Sequence, residues 1–264
     1  MSTVVAYLER DLRVAWSYRS SFFLQYLGMP FALVGTRFVA DLVGPREALA
    51  QYGGDYFAFA LIGAALQTVL YPALTVFRGA VREAQTLGTF EAILMTRARA
   101  EVTVLASGLY ALLQVAVQPL VVIPLIGFAL GARFQWSHAL PAVGVLALTV
   151  MAFAGLGLCS AAFTIAFKQT EPFTMAVISS TTLLSGVVFP IDLLPAPLRA
   201  ASQLLPLTHA AEALRGTFIE GAHVTGFGWH LGALGVFALV LPVGLFAVSR
   251  ALEWTRRNGT LAQY

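Results

Sequence analysis

Six stretches of this chain stay apolar for roughly the thickness of a bilayer, and five of them contain no Asp, Glu, Lys or Arg. A helix crosses the hydrocarbon core with about 20 such residues. The stretches lie at about 22–43, 56–77, 102–130, 139–167, 173–191 and 229–249, and only the first holds charges, Arg37 and Asp41. No ten-residue alternation of apolar and polar residues appears, which a transmembrane barrel would need. The expected fold is therefore an all-α integral membrane domain over 1–264 with six transmembrane helices. Composition agrees: 11% of the residues are charged, against about 25% in soluble domains.

The cations set the expected orientation. Connecting segments on one side of the six spans receive eleven of them: Arg10, Arg13, Arg19, Arg78, Arg82, Arg97, Arg99, Lys168, Arg250, Arg256 and Arg257. The other side receives Arg46, Arg133, Arg199 and Arg215. Cytoplasmic loops carry the excess of basic residues, so both termini are expected in the cytoplasm. Glu9, Arg10, Asp11 and Arg13 stand where a signal peptide would place its apolar core, so the first span is expected to stay uncleaved. With a net charge of +3 and no basic block, nothing suits nucleic acid. Cys159 is the only cysteine.

Three segments outside the spans carry more information. Residues 4–19 read as an amphipathic helix, with Val5, Leu8, Leu12 and Trp16 on one side and Arg10, Arg13 and Ser17 on another; such a helix lies in the membrane interface. In the inner loop RGAVREAQTLGTFEAILMTRARAE (78–101), Gly88 breaks the helix and Thr89 is placed to cap the next. Glu91 falls in its first turn, where the helix dipole favours an anion. This predicts a short cytoplasmic helix over 90–96 presenting Phe90, Ile93, Leu94 and Met95. Apolar residues at a loop tip need a cover, either this chain's own helices or a partner. The outer segment FPIDLLPAPLRAASQLLPLTHAAEALRGTFIEG (189–221) is too apolar for bulk water, and its prolines, Pro190, Pro195, Pro197 and Pro206, mark helix starts and turns. It is expected to form a re-entrant or interfacial helical hairpin packed against protein.

Single residues leave alternatives. Ser179, Thr182 and Gly186 line one face of the fifth span, as a dimer seam, a pathway wall, or hydroxyls bonded back to their own helix. Gln67, Gln114 and Gln118 would be costly against lipid and are expected to face protein or a cavity. Arg37 and Asp41 read as a snorkelling pair. His209, Glu212 and Arg215 share one helical face, and the Glu212–Arg215 spacing suits an ion pair. A phosphate-binding loop needs a lysine after a glycine-rich turn, and the only lysine, Lys168, follows Phe167. Converging catalytic groups or midplane charges, as an enzyme or an ion-coupled transporter would need, are absent from the spans.

Two stretches carry a resemblance. SGVVFPIDLLPAPLRAASQLLPLTHAAEALR (185–215) and TLGTFEAILMT (86–96) are similar to the signature segments of the membrane subunit of type 2 ABC exporters, especially daunorubicin-resistance-type and nodulation-lipooligosaccharide-type permeases. The first holds the Phe-Pro, Leu-Pro, Pro-Leu-Thr-His and Glu-x-x-Arg pattern, and the second a Gly-Thr-x-Glu coupling helix. Arg97 departs from the pattern, standing where a proline commonly follows that helix. The resemblance implies a permease in a bacterial or archaeal cytoplasmic membrane, paired with a second permease subunit as homodimer or heterodimer. Two cytoplasmic ATPase subunits would bind ATP and Mg and dock on a coupling helix made by Thr89, Phe90, Glu91, Ile93 and Leu94. The exported substrate would be an amphiphile: a drug-like compound, a lipid or a lipid-linked saccharide. An outer gate hairpin would include Phe189, Pro190, Pro195, Pro206, His209, Glu212 and Arg215. The pathway or seam would include Gln67, Gln114, Ser179, Thr182 and Gly186.

Overall fold

The computed structural model describes residues 3–18, 33–42, 55–95, 99–135, 139–167, 171–221 and 226–257. Among these there is no strand. The elements in chain order are α1 (Thr3–Ser17), α2 (33–42), α3 (Tyr56–Thr86), α4 (Phe90–Leu94), α5 (Ala100–Ala129), α6 (Ala139–Phe167) and α7 (Glu171–Leu184). A 3-10 turn, Ile191–Leu193, then leads to α8 (Ala196–Ser202), α9 (Pro206–Arg215), a π turn (Gly216–Glu220), α10 (Gly228–Ala238) and α11 (Val240–Arg257). Among the described residues, four helical stretches are long and apolar enough to cross a membrane: Tyr56–Thr86, Ala100–Ala129, Leu140–Phe167 and Gly228–Thr255.

These four match expected spans, with informative differences at the ends. α3 runs on to Thr86 rather than stopping near 77, because no proline falls between 78 and 87 and the chain first takes a left-handed conformation at Gly88. Its start is fixed by Asp55, whose carboxylate accepts from Phe57 N at 3.0 Å and Ala58 N at 3.3 Å. Asp55→Ala is expected to cost about 1 kcal/mol of stability, read as a lowered unfolding temperature in detergent. The last span is two helices, α10 and α11, because Pro242 has no N–H for the carbonyl of Ala238.

The expected first and fifth spans differ more. Of 22–43, residues 22–32 and 43 lie outside the described residues, and 33–42 are helical. The fifth does not run helically to residue 191. α7 ends at Leu184 after 14 residues, about 21 Å at helical rise, because the chain turns at Gly186, where φ is +74°. A Cβ there would also stand 2.6 Å from Ile191 Cγ2.

α3 and α6 form the centre. α5 packs on α3, α11 and α10 pack on α6, and α9 reaches α3, α6 and α10. Close crossings depend on missing side chains: a Cβ on Gly157 of α6 would stand 2.4 Å from Ala73 O of α3, and one on Gly244 of α11 would stand 2.6 Å from Gly155 O. In lipid, where apolar side chains gain little by leaving the solvent, such close backbone approach is a main source of helix association. α7 differs from these helices. Its buried described side chains are Thr174 and Thr181, so its apolar residues contribute little to the core.

Candidate functional site

Three regions hold the residues singled out above, and they occupy opposite ends and the middle of α3. At the C-terminal end of α3 the chain closes in a Schellman turn. Gly88 N donates to Gln85 O at 3.0 Å, and Thr89 N to Ala84 O at 3.0 Å. Gly88 has φ +67°, which a Cβ would disfavour. This turn also corrects the reading of Thr89. Its hydroxyl donates back to Ala84 O at 3.3 Å instead of capping α4, and only its carbonyl serves α4, accepting from Ile93 N at 3.0 Å.

The short helix α4 follows directly, as the sequence indicates, but ends at Leu94. Phe90 is not presented at its surface. It is 4% exposed and belongs to the main apolar core with Phe77, Val81 and Val104. The side chain one position past the turn swings under α3 and anchors the loop. The exposed apolar groups here are Leu87 and Met95, at 67% and 89%, with Ile93 half-buried. Only the backbones of Glu91 and Leu94 are described, both within α4, and residues 96–98, with Arg97, fall outside the described set. α1 lies at this same end. A groove of about 590 Å³ separates it from α3, α4 and α5, and its walls include Tyr7, Arg10, Glu83, Thr89, Ile93 and Gln114.

In the middle of α3, Gln67 is hydrogen bonded to Thr182 of α7. The Thr182 hydroxyl donates to Ile178 O at 2.8 Å, so it can only accept from Gln67, and the amide must turn its Nε2 towards α7. The Thr182 hydroxyl thus bonds back to its own helix, one of the alternatives for this face, and at the same time accepts from α3. Gln67 and Thr182 line a cavity of about 580 Å³ with Leu33, Thr36 and Val39 of α2 and Val187. Ser179 is exposed and Gly186 buried, neither in this lining, while Gln114 faces the α1 groove instead. Arg37 and Asp41 form the expected pair at 3.2 Å, with the guanidinium 5.4 Å from the Phe57 ring.

At the other end, prolines mark the helix starts and turns of 189–221 as expected. Pro190 precedes the 3-10 turn, Pro195 precedes α8, and Pro206 opens α9. Pro190 is buried, Phe189 half-buried and Pro195 exposed. α9 is enclosed almost all round by the bundle. Its Arg215 is fully buried and joins three elements. Nη1 donates to Glu212 Oε1 at 3.0 Å, and Nη2 lies 3.4 Å from both Phe59 O on α3 and Val187 O beyond α7. The guanidinium carbon stands 3.5 Å from the centre of the Phe59 ring, a cation–π contact in a site without water screening. His209 faces the last span. Its Nε2 is 2.9 Å from Gln203 O and its Nδ1 3.0 Å from His230 Nδ1. A carbonyl only accepts, so in the neutral ring the His209 proton sits on Nε2, and His230 donates from Nδ1.

The profile of the ABC-2 type transporter family matches residues 4–219, from α1 through α9 and into the π turn. The chain belongs to the ABC-2 type transporter family. Together with its four bilayer-length helices, this makes it a multi-pass membrane protein of a transporter family. It is similar to Nodulation protein J of Rhizobium leguminosarum bv. trifolii, 35% identical over 164 residues, 62% of this chain and 60% of the relative. Nodulation protein J of Neorhizobium galegae is 36% identical over 121 residues, 46% of this chain and 44% of that one. The protein of that name from Rhizobium meliloti (strain 1021) is 33% identical over 106 residues, 40% of each. Across these three the chain spans 40–60% of the relative's own length.

Within this ABC-2 chain the sequence did not point to the groups that complete each region. Phe59 and Val187 accept from Arg215 through backbone carbonyls, which leave no mark on residue choice. Arg78 of α3 pairs with Glu171 at the start of α7, a partnership across three intervening helices. His230 was legible only as a histidine near the start of a span.

Proposed function

We propose that the chain is the permease subunit of an ATP-driven ABC exporter, with the α4 end in the cytoplasm and ATP hydrolysed by a separate subunit. The observation that carries this reading is the short helix closed off by the Schellman turn, between the two spans α3 and α5, with Leu87 and Met95 exposed beside it. Thr89, Ile93 and the α4 backbone form the docking face for the ATPase, and buried Phe90 transmits its movement into the core. Two permease subunits and two ATPase subunits make the working unit. The wall formed by α2, Gln67 and Thr182, with Ser179 and Gly186 beyond it, faces the partner permease and the pathway. The α8–α9 hairpin, re-entrant from the outer side, gates the exit. The mostly apolar cavity between α2, α3 and α7, with its few polar groups, supports an amphiphilic substrate, as does the likeness to the nodulation proteins.

Because Phe90 is part of the core, deleting residues 89–96 would damage the fold along with any docking. Point changes at the exposed residues separate the two. With the ABC ATPase encoded nearest to this chain co-expressed, a photo-crosslinker at Met95 or Leu87 is expected to capture that ATPase. Leu87→Glu with Met95→Glu is expected to cut permease-stimulated ATP hydrolysis at least tenfold without lowering the unfolding temperature. Crosslinks to lipid or to the chain alone, with ATPase rate unchanged by both substitutions, would remove the reading.

A further inference from the structure

At the α4 end, the last turns of α6 and α11 border a groove of about 440 Å³. Phe167, Arg250, Trp254 and Arg257 form its walls over a floor of Ala166 and Ala251. Residues 250, 254 and 257 follow one another at four and three positions on α11, so two guanidiniums and an indole share one helical face. Phe167 and Trp254 are 63% and 49% exposed, an aromatic pair at the level where two bilayer-length helices end. Aromatic rings at that level sit among lipid headgroups.

The charge of the groove is positive. Glu253 also lines it and pairs with Arg250 at 3.2 Å, but both side chains are more than half exposed. An ion pair so open to solvent is weak, and a multiply charged anion competes for the arginine. Arg257 makes no ion pair with any described residue. In the sequence Lys168 follows Phe167 and Arg256 precedes Arg257. A free anion in water would need only the arginines. The apolar floor and aromatic walls that continue from them towards the bilayer fit a ligand with chains beneath its phosphate.

We propose that this groove is a binding site for an anionic phospholipid, its phosphate held by Arg250 and Arg257 and its chains lying along Phe167, Ala251 and Trp254. The site is separate from the α2–α3–α7 cavity and does not depend on the transport reading. Basic pockets between membrane helices on the cytoplasmic side hold acidic headgroups in this way, each arginine near the surface changing affinity about fivefold. Both arginines are exposed and outside the core, so their replacement leaves the fold in place.

The test is native mass spectrometry of the full-length protein in detergent, titrated with phosphatidylglycerol and with phosphatidylcholine of matched chains. Phosphatidylglycerol is expected to bind preferentially. Arg250→Ala or Arg257→Ala should weaken it about fivefold and the double variant about thirtyfold, with phosphatidylcholine adducts unchanged. Arg133→Ala, an exposed arginine at the opposite end of the bundle, should change neither. Equal retention of the two lipids by the unaltered protein would overturn the proposal, as would full retention of phosphatidylglycerol by the double variant. Displacement of the bound lipid by millimolar inorganic phosphate would reassign the site to a free anion and equally overturn it.

Discussion

Replacing Arg215 with alanine is expected to lower stability by about 3–5 kcal/mol, the cost of removing one member of a buried ion pair. The side chain is fully buried, so no solvent screens what it leaves behind. Glu212 would lose its cation, and the carbonyls of Phe59 and Val187 would lose the same donor. The ring of Phe59 would face a void where a planar guanidinium had stacked. Those three partners sit on α9, on α3 and on the segment beyond α7, so one substitution unties α9 from both. Arg215→Met refills much of the volume and is expected to recover part of the loss, because it restores packing against Phe59 but no donor. Arg215→Lys keeps the charge but lacks the fork that reaches two carbonyls and a carboxylate at once. The measurement is thermal unfolding in detergent, with limited proteolysis across 185–221 to show whether the hairpin opens first. An Arg215→Ala protein as stable as the unaltered one would mean that the buried network contributes nothing net.

This network shows which parts of the protein were legible in the sequence. The Glu212–Arg215 and Arg37–Asp41 pairs could be read because each lies within one turn of one helix, where spacing dictates contact. Helix positions for α3, α5 and α6 could be read because lipid imposes a length and excludes charge. The Schellman turn could be anticipated from Gly88 but not the role of Thr89, since the same hydroxyl can bond forward or back and only the turn geometry decides. That Phe90 is covered by this chain's own helices, one of the two covers left open, could not be read for a related reason. In a five-residue helix, hydrophobicity does not tell which side faces the bundle. The early end of α7 was concealed because residues 185–191 are as apolar as the helix before them, and a glycine in the left-handed region does not change that pattern. What no local pattern conveys is pairing between distant elements: Arg78 with Glu171, His209 with His230, and Arg215 with two carbonyls.

The second large effect lies in two glycines of α3 that the sequence presents as equals. At Gly63 an added Cβ would stand 2.3 Å from Val187 O and 3.0 Å from Val187 C, whereas at Gly79 nothing lies within 4 Å. Gly79→Ala should therefore be neutral or stabilise by up to about 1 kcal/mol, since glycine in a helix interior is that much less favourable than alanine. Gly63→Ala gains the same helical preference and still should lose about 1–3 kcal/mol net, as overpacking against a well-packed neighbour does. The clash is with backbone, which cannot rotate aside like the end of a long side chain. The only relief is for residues 186–188 to move off α3, and Val187 O is one of the two carbonyls facing Arg215 Nη2. The substitution should then act on the same network as Arg215→Ala, so the two losses should not add. In a double-mutant cycle, Gly63→Ala is expected to cost clearly less in the Arg215→Ala background than alone, because the acceptor it displaces has already lost its donor. Additive losses would show that the crowding at Gly63 and the buried arginine act independently, and that the segment beyond α7 is not held between them.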